Sequence, residues 1–146
     1  MNAMDALFKV QFPNLHGVQQ KKTSEQDPNY NCIAWAFENN TRHWWPNQNR
    51  SYWPIQSAGL TAMEAFERLF SSGGWEETDD RNAESAYHKI ALYALNGAPT
   101  HAARLLNTGA WTSKLGQSID ISHSLDELNG PIYGTVVKVF RKKIVV

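Results

Sequence analysis

The chain has 146 residues, enough for one domain with a core of its own and too few for two of ordinary size. Its 14 basic and 14 acidic side chains cancel to a formal charge of zero, which points to neither a nucleic-acid surface nor an acidic solvating tail. One cysteine rules out an internal disulfide and a multi-cysteine zinc site; His/carboxylate ligation stays open, and no metal or cofactor is expected.

Met1 to Val10 has neither a basic n-region nor an apolar h-region, and no later run is long enough to cross a bilayer. The expectation is a soluble, cytoplasmic protein of one domain, residues 1–146, with signal-less secretion left open. Residues 1–28 read as an N-terminal arm. Within it Phe12-Pro13-Asn14-Leu15 packs on the body, while Gln19 to Gln26 is polar and mobile.

Asp27-Pro28 and the Asn29/Asn31 pair are turn and cap chemistry, and the run from Cys32 to about Glu38 is apolar on nearly all sides. A short buried helix is predicted, with Asn31 as its cap and Cys32 as its first residue. Free backbone N–H groups there stabilise a thiolate, so a thiol pKa of roughly 8.5 can drop by one to several units. A lone cysteine beside Ile33 and Trp35 is equally a small buried hydrophobe.

Asn39-Asn40-Thr41 ends that helix, and His43 to Gly59 carries aromatics and prolines without alternation: an irregular, packed loop. Its Trp44, Trp45 and Trp53 either plug the core from outside or wall a groove. Thr61-Ala62-Met63-Glu64 is a capping box, Met63, Phe66, Leu69 and Phe70 form one apolar stripe, and Gly73-Gly74 stops the helix. Lys89 to Leu95 reads as a central strand turned by Asn96-Gly97. Thr100 to Leu106 and Ala110 to Leu115 flank Asn107-Thr108-Gly109, a hairpin with a three-residue loop.

That loop sets a register in which Leu106 opposes Ala110 and Leu105 opposes Trp111. His101, Ala103 and Leu105 then share a face with Trp111, Ser113 and Leu115, and Arg104, Thr112 and Lys114 take the other. Ser124-Leu125-Asp126-Glu127 is a second capping box, stopped at Asn129-Gly130-Pro131, and Thr135 to Phe140 is the last strand, its end capped by Arg141-Lys142-Lys143. Helices followed by an antiparallel sheet define the α+β class.

A cysteine nucleophile needs a base within hydrogen-bond reach and a third group to orient it. His101, inward at the start of a strand, is the best base, and Ser113, Asp120 and His123 are candidates for the third position. His16, His43 and His88 fall in loops or near strand edges. A cysteine opening a buried helix, a central strand, and then His101 through a Gly-bearing turn to Ser113 resembles the papain-like thiol-hydrolase core in its minimal NlpC-type and CHAP-type form. The resemblance covers about Tyr30 to Leu115. It implies Cys32 as nucleophile, His101 as base and Ser113 as orienter, where the family usually carries His, Asn or Gln, with Asp120 as a substitute if the Gly116 to Ile121 loop folds back. It also puts Cys32 N–H, with Tyr30 or Asn31, at an oxyanion site. The wording Tyr-Asn-Cys-Ile-Ala-Trp-Ala, with Thr-His-Ala-Ala-Arg, is similar to a group of uncharacterised bacterial proteins.

Two functions follow from different classes. One is a bacterial cysteine enzyme acting on an amide or peptide carbonyl (peptidase, amidase, deamidase or acyltransferase), with Tyr30, Asn31, Trp44, Trp45 and Trp53 around its substrate. Its partners would be a peptide or protein substrate and, if it is a toxin effector, an immunity or inhibitor protein, with neither nucleic acid nor membrane. The other is a non-catalytic interaction module that uses the Trp44 to Trp53 loop. It requires an inert, buried thiol and an exposed aromatic patch.

Overall fold

The computed structural model describes residues 11–15, 22–24, 31–37, 43–46, 52–106, 108–115 and 120–144. Its described elements are α+β. Seven strands make one antiparallel sheet: β1 Lys22–Ser24, β2 Glu76–Thr78, β3 Tyr87–Leu95, β4 Ala98–Leu105, β5 Trp111–Lys114, β6 Asp120–His123 and β7 Thr135–Lys143. Their spatial order is β1-β6-β5-β4-β3-β7-β2. Helices α1 (Cys32–Ala36) and α2 (Ala62–Ser72) and a 3₁₀ turn (Leu125–Leu128) complete the described elements.

Local chemistry accounts for the joints. Asn96 and Gly97, at φ 53° and 82°, form the two-residue left-handed turn that matches the twist of β3 and β4. The predicted hairpin register is the observed one: Leu105 opposes Trp111, and the Leu106 N–H donates to the Ala110 carbonyl at 2.9 Å. Thr61 and Glu64 close the capping box of α2, and Gly73 ends it. Gly134 is demanded by crowding: a Cβ there would stand 1.9 Å from the Ala94 carbonyl oxygen, at a φ of +76°.

Strand alternation divides the interior in two. On one face Ala91, Tyr93, Ala103, Trp111 and Ile121 are covered by the arm residues Phe12 and Leu15, the 3₁₀ turn and Tyr133. On the other, Ile90, Leu92, Ala102 and Phe140 lie under Cys32, Ile33 and Ala36 of α1 and Phe66 and Phe70 of α2. The Phe70 and Phe140 rings stack there at 3.9 Å. So the arm and the helices sandwich the sheet from opposite sides.

Three strands differ from the sequence expectation. Lys22–Ser24, within the stretch expected to be mobile, pairs with β6 as an edge strand. Asp120–His123 is a strand where part of a returning loop was expected, and Glu76–Thr78 adds the other edge against β7. Each has three or four residues, too few for alternation to register as a pattern.

Candidate functional site

Asn31 caps α1 as its sequence predicts: its side-chain oxygen accepts from the Ala34 N–H at 3.1 Å. The same side chain holds the aromatic loop, accepting from the Trp44 N–H at 3.0 Å and donating to the Trp44 carbonyl at 2.8 Å. Asn31 is thereby a latch between helix and loop. Cys32 follows it, buried against Ala102 of β4. Burial pushes its thiol up to about 11, while backbone hydrogen bonds at Ala102, Ile33 and Cys32 itself, and the charge of Lys114, pull the other way. The helix mouth does act as expected on the sulfur. It is outweighed by desolvation.

His101 lies on the far side of the sheet. It opposes Tyr93 across the β3–β4 ladder, and its ring stacks on Tyr133 at 4.0 Å and 9° and meets Tyr93 edge-on at 5.4 Å. Its neighbour Ala102 faces α1, so β4 itself separates imidazole from thiol. The expected Cys32–His101 dyad is not assembled: the inward face of the hairpin is the face away from the helix. Both ring nitrogens of His101 are buried without a hydrogen-bond partner among the described residues, and burial, with His123 second, holds its pKa well below the ordinary 6.5.

Ser113 does not orient His101. Its hydroxyl lies 2.7 Å from Nε2 of His123, whose Nδ1 is 2.7 Å from the Ser124 carbonyl oxygen. That carbonyl can only accept, so in the neutral ring Nδ1 carries the proton and Nε2 accepts from Ser113. Ser113 is fully buried and His123 nearly so, and the pair satisfies itself inside the arm-side core. The β5–β6 register brings them diagonal to one another, Trp111 opposing His123 and Ser113 opposing Ile121. No sequence signal announced it, because β6 itself was unseen. Asp120 pairs its backbone with Lys114 and Ser24.

The tryptophans serve the core. Trp45 and Trp53 pack on Phe66 with centroids 5.5 Å and 5.0 Å away, and Trp44 stacks on Phe37 at 5.4 Å. Only Tyr52, against Trp44, is exposed among these rings, at 38%. The plug reading of the loop therefore describes these rings, not the contiguous exposed patch. Tyr30 falls outside the described residues.

The end of the sheet beside α1 carries a feature the sequence reading passed over. Of the cations nearby, Lys138 on the helix face pairs with Glu77 at 2.6 Å, while on the arm face Arg141 pairs with Glu76 at 2.7 Å and Glu84 at 2.6 Å, and buried Lys89 with Asp80 and Glu84 at 3.3 Å each. His88 and Lys142, opposed across β3 and β7, and Lys143 beside them have no ion pair or side-chain hydrogen bond among the described residues. They line a groove of about 340 Å³ with Ala36, Phe37, Trp75 and Ile144.

No helix among the described residues is long and apolar enough to cross a membrane, and no His/Cys/Asp/Glu group there could hold a metal ion. No curated protein and no solved structure matches the chain. One family, described as Domain of unknown function (DUF7689), matches residues 21–141, from β1 to within β7 and thus nearly the whole sheet with both helices. The chain belongs to the DUF7689 family.

Proposed function

We propose that this chain is a binding module whose sheet and helices hold a recognition surface, and that it does not work through a Cys32 thiolate. The observation that carries the reading is the placement of Cys32 and His101 on opposite faces of β4, each sealed in its own half of the core. A thiol nucleophile needs its base within about 3 Å, and a side chain on one face of a strand cannot reach the other face by changing rotamer. The high thiol pKa has the same sense: at neutral pH Cys32 is protonated and packed as a small hydrophobe.

Alkylation of Cys32 by iodoacetamide across pH 6 to 10, in the wild type and in His101→Phe, tests this. The expected result is slow alkylation in both folded proteins, with the same pH profile, and rapid alkylation once either is unfolded in urea. A thiol that titrates well below about 8.5 in the wild type, and whose pKa rises in His101→Phe, would restore the enzyme reading.

A further inference from the structure

We propose that the groove between α1 and the end of the β3–β7 ladder is a docking site for an acidic peptide segment of a partner protein, one that presents an apolar side chain among its carboxylates. The inference rests on the binding-module reading and names the partner's chemistry.

Three observations carry it. The first is charge: Lys142 and Lys143 meet beside His88 without a counter-ion among the described residues, while neighbouring Lys138 and Arg141 on the same strand each hold a carboxylate. Two lysines held together without a carboxylate among the described residues, in a protein of zero net charge, present a local positive field. Lys142 has a structural partner of a kind, since its stem passes the C-terminal end of α2 near Gly74, where an ammonium is favoured.

The second is the floor. Phe37 and Trp75, with centroids 6.1 Å apart and nearly perpendicular, are half-buried and face the groove between the cations and Ala36. The half-exposed faces of these packed rings offer apolar surface to an aliphatic or aromatic anchor.

The third is shape. The groove is only partly enclosed and its polar groups lie along two strands, His88 on β3 and the lysines on β7, which suits an extended chain better than a small molecule that must be enclosed on most sides. Lysines present point charges on flexible stems, which match scattered carboxylates and lack the planar fork that fixes phosphate. Two lysines and a histidine are also too few for the long basic stripe that a nucleic acid requires.

The test uses the full chain and a fluorescein-labelled twelve-residue probe of Asp and Glu with a central Phe, followed by polarisation at low and at physiological salt. Controls are the same peptide with Asn and Gln in place of its acids, a twelve-nucleotide single-stranded DNA, and vesicles containing anionic lipid. The expected result is saturable binding of the acidic probe, weakened by salt, absent for the amide peptide, and reduced about tenfold in K142Q/K143Q and again in Trp75→Leu. Unchanged binding in K142Q/K143Q, no binding of the acidic probe, or equal binding of the amide peptide would overturn the proposal. So would DNA or vesicles binding more tightly and losing that binding in K142Q/K143Q, which would reassign the groove. Iodoacetamide alkylation run on the same preparations separates the two levels. An inert Cys32 with a silent groove removes only this site, whereas a reactive, low-pKa Cys32 removes the module reading itself.

Discussion

His101 makes the stability of the fold depend on pH in a way that one substitution should erase. In an unfolded chain the imidazole takes up a proton near its ordinary 6.5, but in the folded protein burial, and secondarily the neighbouring His123, hold its pKa well below that value. The sign follows from proton uptake. Below about pH 6.5 the unfolded chain binds a proton that the folded one cannot, so stability is complete above that pH and is lost as pH falls. The slope from this one group approaches, and cannot exceed, about 1.4 kcal/mol per pH unit. His101→Phe keeps a ring against Tyr133 and Tyr93 and removes both orphaned nitrogens. Near neutral pH two effects of about 1–3 kcal/mol oppose each other, relief of the unsatisfied groups and overpacking by the larger ring. The slope, not the midpoint, is therefore the readout. Urea unfolding followed by tryptophan fluorescence, at half-unit steps from pH 7.5 to 4.5, gives it. Exposed Glu64 and Asp80 and half-buried Glu84, all held below ordinary carboxylate values, lose their contribution at the acid end in both proteins and cancel in the difference. Parallel stability curves for the wild type and His101→Phe between pH 6.5 and 4.5 would refute the argument.

Gly134→Ala should cost at least about 3 kcal/mol in the same urea assay, since a left-handed backbone costs about 1–2 kcal/mol and the new Cβ would also meet the Ala94 carbonyl. Gly97→Ala is the control, with left-handed φ and nothing within 4 Å, and should cost only the backbone share of about 1–2 kcal/mol. Equal losses would mean that Gly134 is required for its φ alone. Tyr93→Phe should lose about 1–2 kcal/mol, because the buried hydroxyl donates to the Leu125 carbonyl at 2.5 Å and its removal orphans that acceptor. A variant as stable as the wild type would show that water replaces the donor.

Features decided within a few residues were legible. The Asn31 cap, the Thr61–Glu64 box, the Asn96-Gly97 turn and the register of the β4–β5 hairpin are each set by neighbouring backbone demands, and each is found where the residues place it. Even the division of β4 and β5 into two faces was correct. What sequence could not supply was which face the helices cover, because that depends on how chain entering from α1 and α2 crosses a sheet not yet written at that point. His101 was inward in either case; only its company was at stake. The Ser113–His123 pair was hidden for a related reason, since it needs the β5–β6 register and β6 is four residues long.

The brevity of the outer strands bears on how this protein behaves in a crowded solution. β1 and β2, at the two margins of the sheet, have three residues each, and the exposed margin at β2 carries Glu76 and Glu77. A long flat margin invites a second molecule to extend the ladder, and three residues with two like charges give it little to extend. β7 is nine residues long and pairs with β3 on one side, but on the other β2 covers only Val139 to Arg141, so among the described residues Thr135 to Lys138 has no strand on that side. Within that run Lys138 is tethered to Glu77, which sets a charged pair beside exposed Val137. Neutralising Lys138 and Glu77 together would remove that guard and leave Val136 and Val137 at an open ladder, turning a margin that discourages self-assembly into one that seeds it.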